Sequence, residues 1–323
     1  MAGFNQFGDP PWLNPSAGFQ GDFGLYAPGG SRVIGLCNGT RTGDDPTFTS
    51  KGLFTTSATL LQACSYLRAG MSDTILVFPG HSESVTDATM LGSLVAGSRI
   101  FGLGNPRRSD APKFTWTATG SRWDLSVANC RIQGLRLLID GANGVVNGIN
   151  ITGANNLLAG NYIELASGAA LKATIGITVG SAALNTTIDG NEFRGTATHN
   201  VTDGIKVLGA TVPSGLRVTN NDFIASATAG NGLIHITVAA LDLLIRNNMI
   251  YNTHTNSTAC IAVDDVAADG IVEYNRMAVM SAAGAPAAEG VVFAGGTPTI
   301  RCFENRCVTA LQTTGIVSPA NDA

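Results

Sequence analysis

Asp264 and Asp265 are adjacent carboxylates, with Asp242 and Asp269 close by in the chain. Paired carboxylates are what glycoside cleavage needs, one to protonate the leaving oxygen and one to act as base or nucleophile, facing each other across the scissile bond. In a regular strand, successive side chains point to opposite faces, so Asp264 and Asp265 are predicted not to share a cleft. Asp189, Asp203 and Asp222 fall at different phases of the repeat described below and are not expected to form a column of carboxylates. Among the histidines, His81 follows a turn, His199 and His254 fall in loops, and His235 takes the outward slot of a strand. Each reads as structural or solvent-exposed. No G-x-G-x-x-G or G-x-x-x-x-G-K-S/T segment occupies a strand-to-helix junction. Cys37, Cys64, Cys130, Cys260, Cys302 and Cys307 show no C-x-x-C spacing and read as buried small apolar residues, not as disulfides or metal ligands. The sequence therefore predicts no catalytic residues, no metal and no cofactor.

Composition narrows the partners. Only 13% of the 323 residues are charged, 44% are hydrophobic and 40 are glycine, which places the chain far from disordered sequences. A net charge of -4 offers no basic excess for a phosphate backbone, so nucleic acid is an unexpected partner. Apolar runs such as Leu243-Leu244-Ile245 are far shorter than the roughly 20 residues that cross a bilayer, so no membrane is expected. Met1 to Phe19 carries no Lys or Arg and is broken by Pro10, Pro11 and Pro15, unlike a secretory leader, which predicts folding in a cytoplasm.

The elements that would position any site emerge from internal repetition. One register reads apolar-x-x-Asn-x-apolar at Leu158/Asn161/Ile163, Ile188/Asn191/Phe193, Val218/Asn221/Phe223, Ile245/Asn248/Ile250, Val272/Asn275/Met277 and Cys302/Asn305/Cys307. The Asn positions recur at steps of 30, 30, 27, 27 and 30 residues, and one coil earlier Cys130/Gln133/Leu135 fits with Gln in the Asn slot. Arg99-Ile100-Phe101-Gly102-Leu103 matches Arg131-Ile132-Gln133-Gly134-Leu135. A second ladder, small-apolar-x-apolar, runs through Gly148-Ile149-Asn150-Ile151, Gly176-Ile177-Thr178-Val179, Gly204-Ile205-Lys206-Val207, Leu233-Ile234-His235-Ile236, Cys260-Ile261-Ala262-Val263 and Gly290-Val291-Val292-Phe293. Alternation of this kind is the period-2 signature of a strand with one buried face. Two strand ladders in step leave no room for helical crossovers, and stacked coils are the consistent solution. Eight coils from Phe101 to Asn305 at a strand spacing of about 4.8 Å give a rod core of roughly 35–40 Å. The Asn slot is expected at a tight turn, its amides hydrogen-bonded from coil to coil.

The reading is thus an all-β chain, a right-handed parallel β-helix solenoid with an N-terminal capping helix and an extended N-terminal arm. Residues 1–31 form the arm and residues 32–80 a cap, whose helix over 57–69 places Leu60, Leu61, Cys64 and Leu67 on one face. Residues 81–317 form the β-helix, closing on a short strand at Thr314-Gly315-Ile316-Val317, and 318–323 are a tail. The arm has no Lys or Arg and no apolar period, yet carries Phe4, Phe7, Trp12, Leu13, Phe19, Phe23 and Tyr26. Such a segment gains order only by docking, either back along its own solenoid or on another chain, and these residues are the expected attachment anchors.

Val33-Ile34-Gly35-Leu36 to Asp44-Asp45-Pro46, the helix, Asp73 to His81, Ala96 to Asn105 and Pro112-Lys113-Phe114-Thr115 succeed one another in a familiar order. This layout resembles the pectate-lyase-like β-helix proteins, more particularly the β-helix proteins of tailed-phage virions. The likeness covers roughly Val33 to Leu137 in motif and the rest in repeat style. It implies a virion structural protein, foremost a capsid decoration or cement protein contacting the major capsid protein. The same resemblance admits a tailspike or tail-fibre module that binds or cleaves surface polysaccharide, or a polysaccharide lyase or glycosidase. Enzymes of the group use acidic clusters with Ca²⁺ and a basic residue, or paired Asp, and Asp264-Asp265 is the nearest match. A glycan binder would carry aromatic platforms on its outer face, for which Trp116, Trp123 and Tyr162 are the candidates. Outward positions dominated by Thr, Ala, Asn, Ser and Val leave a bland surface that packing around a threefold axis would bury, so a homotrimer is expected.

Overall fold

A computed structural model describes residues 33–37, 54–140, 143–168, 171–196, 201–209, 213–227, 232–254, 259–279, 289–293 and 298–309. These residues form a parallel β-solenoid of about 7 turns, each turn adding one strand to each of three sheets. The first sheet has 11 strands, the second 9 and the third 8, on the main path of each or paired to it. Strand pairing is parallel throughout except where Ala166–Gly168 folds back antiparallel on Leu171–Val179. The arm residues, the closing strand at 314–317 and the tail lie outside the described residues.

Registration follows from burying one apolar column per strand position. In the first sheet Ile75, Ile100, Ile132, Leu158, Ile188, Val218, Ile245, Val272 and Cys302 stand directly above one another, all 5% exposed or less. The second sheet repeats the arrangement with Phe114, Leu137, Ile163, Phe193, Phe223, Ile250, Met277 and Cys307. Phe193 and Phe223 stack with centroids 4.3 Å apart and planes 5° from parallel. Each such side chain contributes about 1.5–3 kcal/mol on burial. A one-residue slip would turn an entire column outward, so the pattern specifies the register. The third sheet buries two columns per strand, one through Ile149, Ile177, Ile205, Ile234 and Ile261, the other through Ile151, Val179, Val207, Ile236 and Val263. The small residue before them is required by close approach, since a Cβ on Gly176 would stand 2.6 Å from the Gly204 carbonyl oxygen.

The structure corrects several expectations. The helix is shorter than 57–69 and spans Leu60–Ser65, with Ser57 already in the strand Phe54–Ser57. Thr59 caps it by accepting from the Gln62 N–H. Its buried face is Leu60, Ala63 and Cys64, continued by Leu67, while Leu61 is 44% exposed. At 100° per residue Leu61 is a quarter-turn away from the i, i+3, i+4, i+7 stripe. Trp116 and Trp123 are not outer platforms. Trp116 shares the inward parity of Phe114, and Trp123 stands under Ile149, so both are fully buried, with ring centroids 5.3 Å apart. Gln133 does not occupy the Asn slot. Ile132 pairs with Leu158, which puts Gln133 opposite Ala159 on the outer column and leaves Leu135 at the slot, its N–H donating to Asn161 Oδ1.

Candidate functional site

Three polar constellations stand out. The first is the bend between the first and second sheets. The residue before each slot is left-handed at Gly134, Gly160, Gly190, Asn220, Asn247, Tyr274 and Glu304, which turns the chain sharply enough to bring the next side chain inward. Asn161, Asn191, Asn221, Asn248, Asn275 and Asn305 then form one chain of bonds. The Oδ1 of Asn248 accepts from the backbone N–H and the Nδ2 of Asn221, while its own Nδ2 donates to the Val218 carbonyl and to Asn275 Oδ1. The same pattern recurs at Asn191, Asn221 and Asn275, and Asn305 accepts from Asn275 in the same way. Asn248→Ala removes an acceptor from a buried N–H and a donor from a buried carbonyl. The expected cost is on the order of 1–3 kcal/mol, read as a lowered denaturation midpoint. A variant with the wild-type midpoint would show that the ladder does not hold the coils together. Asn156 and Asn252 are two further buried amides outside this register, accepting from the Cys130 and Ala227 N–H groups respectively.

The second constellation was not foreseen. His235 Nδ1 lies 2.6 Å from Asp203 Oδ1 and its Nε2 lies 2.7 Å from Asp264 Oδ2, while Lys206 Nζ is 3.3 Å from Asp203 Oδ2. Three successive coils are joined by one imidazole. His235 occupies the outward ladder position over Lys206, as expected, but is buried at 4% exposure, and Asp203 is fully buried. Burial pulls the His235 pKa down, but the bonds to Asp203 and Asp264 outweigh it and hold it above the ordinary value. Bonded to a carboxylate at each ring nitrogen, the imidazole has neither nitrogen open to a substrate. The three groups do not share a level of the ladder: Ala262, not an acid, stands opposite His235, while Asp203 lies three residues before that level and Asp264 two beyond. Side-chain length closes those diagonal gaps. Asp264 and Asp265 lie beyond the end of the strand Ala259–Val263, so strand alternation does not govern them; Asp264 bonds His235 while Asp265 accepts from the Ala267 N–H. Asp242 and Asp269 meet only through the Asp242 N–H donating to Asp269 Oδ1.

The third lies on the outer face of the second sheet. Arg136 pairs with Glu164 at 3.7 Å and covers the Tyr162 ring at 5.3 Å. Arg194 bridges Glu192 and Asp222 at 2.6 and 2.5 Å, and Arg107 adds a further pairing with Glu192. Two coils on, the pattern changes. Arg276 and Arg306 stand in direct register with no ion pair among the described residues. Beside them Asn247, Asn248, Met249, Tyr274, Asn275 and Glu304 complete an open cleft of about 460 Å³ at the bend.

Of the remaining histidines, His81 is buried and bonds Glu83 at 3.1 Å, and Glu83 in turn accepts from the Leu60 N–H at the start of the helix. Burial lowers the His254 pKa. His199 lies outside the described residues, as do Phe4, Phe7, Trp12, Leu13, Phe19, Phe23 and Tyr26. All six cysteines are buried and free, and burial pushes the Cys64 thiol up to about 12 and that of Cys130 to about 11. Among the described residues no cluster of His, Cys, Asp and Glu could hold a metal ion, and no helix is long and apolar enough to cross a membrane.

Fold and sites together define a parallel β-solenoid whose buried polar groups join coil to coil. No protein-family model, curated protein or solved structure matches the chain.

Proposed function

We propose that this chain is a non-enzymatic structural protein, a right-handed β-helix that serves as a decoration or cement protein on a phage capsid. The observation that carries this reading is the use of Asp203 and His235, the groups best suited to acid–base work, as a closed clasp between coils. A catalyst would need them open to substrate. The right hand is that of nearly all strand–crossover–strand connections, and the helix Leu60–Ser65, which packs beside the strands Val33–Leu36 and Phe54–Ser57, would serve as the cap. In this reading the chain is a homotrimer that contacts the major capsid protein, packed around a threefold axis. The protein would reside in the virion after assembly in the host cytoplasm, without cofactor, nucleic acid or membrane. Phe4, Phe7, Trp12, Leu13, Phe19, Phe23 and Tyr26 would anchor it.

Deleting residues 2–28 tests this reading. The truncated chain is expected to keep its β circular dichroism and melting temperature but to lose incorporation into particles or its oligomeric state. A truncated chain that assembles normally removes the arm from the mechanism. The cleft beside Tyr274 favours a second reading, a tail module that holds surface polysaccharide.

A further inference from the structure

We propose that a glycine-floored trough on the outer face of the first sheet is the resting seat of this chain's own N-terminal arm, with Asp9 paired to Arg131 and Pro10, Pro11 and Trp12 lying along the glycines against Phe101 and Pro106. Held there, the arm is withdrawn from partners, so the inference goes beyond the attachment role and concerns the free chain.

The trough has a volume of about 660 Å³ and crosses four coils. Gly102, Gly134, Gly160 and Gly190 make its floor, and Phe101, Pro106 and Arg131 border it. Packing demands the first pair of glycines: a Cβ on Gly134 would stand 2.6 Å from the Gly102 carbonyl oxygen. It does not demand the second pair. A Cβ on Gly160 or Gly190 would meet no atom within 4 Å, and Asn220 and Asn247 make the same left-handed bend at φ 56 and 54 that these glycines make at 59 and 60. Glycine at 160 and 190 therefore serves the space outside the coil, which a side chain would fill. The floor ends where Asn220 takes over the bend and its Nδ2 donates to Asp189 Oδ1 at 2.7 Å. On the rim, Arg131 is exposed, stands in direct register with Arg99 and has no ion pair among the described residues. Like charges opposite each other repel, and a carboxylate placed beside them turns the repulsion into attraction.

Chemistry and reach select the occupant. Residues 1–31 contain Asp9 and Asp22 but no Lys or Arg, so these carboxylates have no cationic side chain within their own segment. Asp9-Pro10-Pro11-Trp12 joins an anion to prolines that favour the extended polyproline conformation, and grooves edged by aromatic rings recognise such stretches. Val33 opens the strand Val33–Leu36, which lies five strand steps, or about 24 Å, from the farthest strand at the trough, Thr187–Asp189. Residues 13–32 extend up to about 65 Å, so Trp12 can reach any point of the floor. Covalent attachment holds the arm at an effective concentration on the order of millimolar, and at micromolar protein the chain's own trough outcompetes that of a neighbour.

Trp116 and Trp123 are fully buried, which leaves Trp12 as the tryptophan that can answer a soluble quencher. Acrylamide titration of the full chain at low micromolar concentration, with Trp12→Phe subtracted to isolate the Trp12 emission, should show several-fold weaker quenching than free N-acetyltryptophanamide. Gly160→Asn/Gly190→Asn fills the trough with the residue that the same bend holds at Asn220 and Asn247, so it should keep the melting temperature while raising Trp12 quenching several-fold. Asp9→Asn, which alters no residue of the rod, should also raise it, and Asp9→Arg combined with Arg131→Asp should restore the shielding that either change alone removes. Trp12 as quenchable in the wild type as the free amide overturns the proposal, as does shielding that Gly160→Asn/Gly190→Asn leaves intact. Shielding that grows with protein concentration overturns the assignment to the chain's own trough in favour of a second copy. Particle incorporation is a separate readout: its loss or retention on deleting residues 2–28 bears on attachment, while the quenching bears on where the free arm rests.

Discussion

Val218→Asp is expected to cost more than about 4 kcal/mol and to abolish the cooperative melt of the rod near physiological temperature. Val218 is fully buried between Ile188 and Ile245 in the central column of the first sheet. A carboxylate there has apolar side chains above and below it and no cation to pair with, so it must either stay neutral or force the coils apart. Coils contact only their neighbours, so the damage starts where the column breaks and spreads as both flanking coils lose a stacking face. Arg217→Ala, one residue away but half exposed, should stay within about 0.5 kcal/mol of wild type. Thermal melts followed by circular dichroism check both. Equal melting of Val218→Asp and wild type would mean that the assigned register is wrong.

The clasp at His235 should yield the second large effect. His235→Ala leaves the fully buried Asp203 with only Lys206 for compensation, and an expected loss of about 3 kcal/mol follows from breaking a buried ionic network by removing one member. The pH dependence has a definite sign. The folded pKa of His235 is raised above its unfolded value of 6.5, so its contribution is fully present below about pH 6.5 and is lost as pH rises through the folded pKa. The stability gap between wild type and His235→Ala, measured by chemical denaturation from pH 5 upward, should therefore be widest in acid and narrow on the alkaline side. A gap that widens with rising pH would show that the imidazole is neutral in the folded protein.

Much of the fold was legible because two signals coincide. The Asn slot marks the bend and the flanking apolar positions mark the columns, so Asn191, Phe193 and Ile188 together locate a coil without ambiguity. Where one signal is missing the reading slips, as at Leu135, where an apolar residue fills the Asn position and Gln133 offered a false match. The clasp was less legible for a geometric reason. Columns are read by equal spacing, but Asp203, His235 and Asp264 meet diagonally from unequal ladder levels. The burial of Trp116 depended on strand parity across an irregular first coil, before either repeat is established. The cleft was invisible because its mark is a backbone angle at Tyr274 and Glu304, and Tyr-Asn and Glu-Asn among copies written Gly-Asn or Asn-Asn look like ordinary drift.

The Asn chain has a direction: each amide oxygen accepts from the preceding coil and each amide nitrogen reaches back to that coil's carbonyl. Every link is therefore identical to the next, and none depends on its distance from either end. Removing one whole link, for example 221–247, would carry Asn248 into the place of Asn221 with its left-handed neighbour Asn220 already in position. Length in this architecture is consequently quantised, in steps of one coil and about 4.8 Å. A lineage could tune the reach of the rod by unequal crossing-over between repeats, provided that each exchange conserved the phase of the bend.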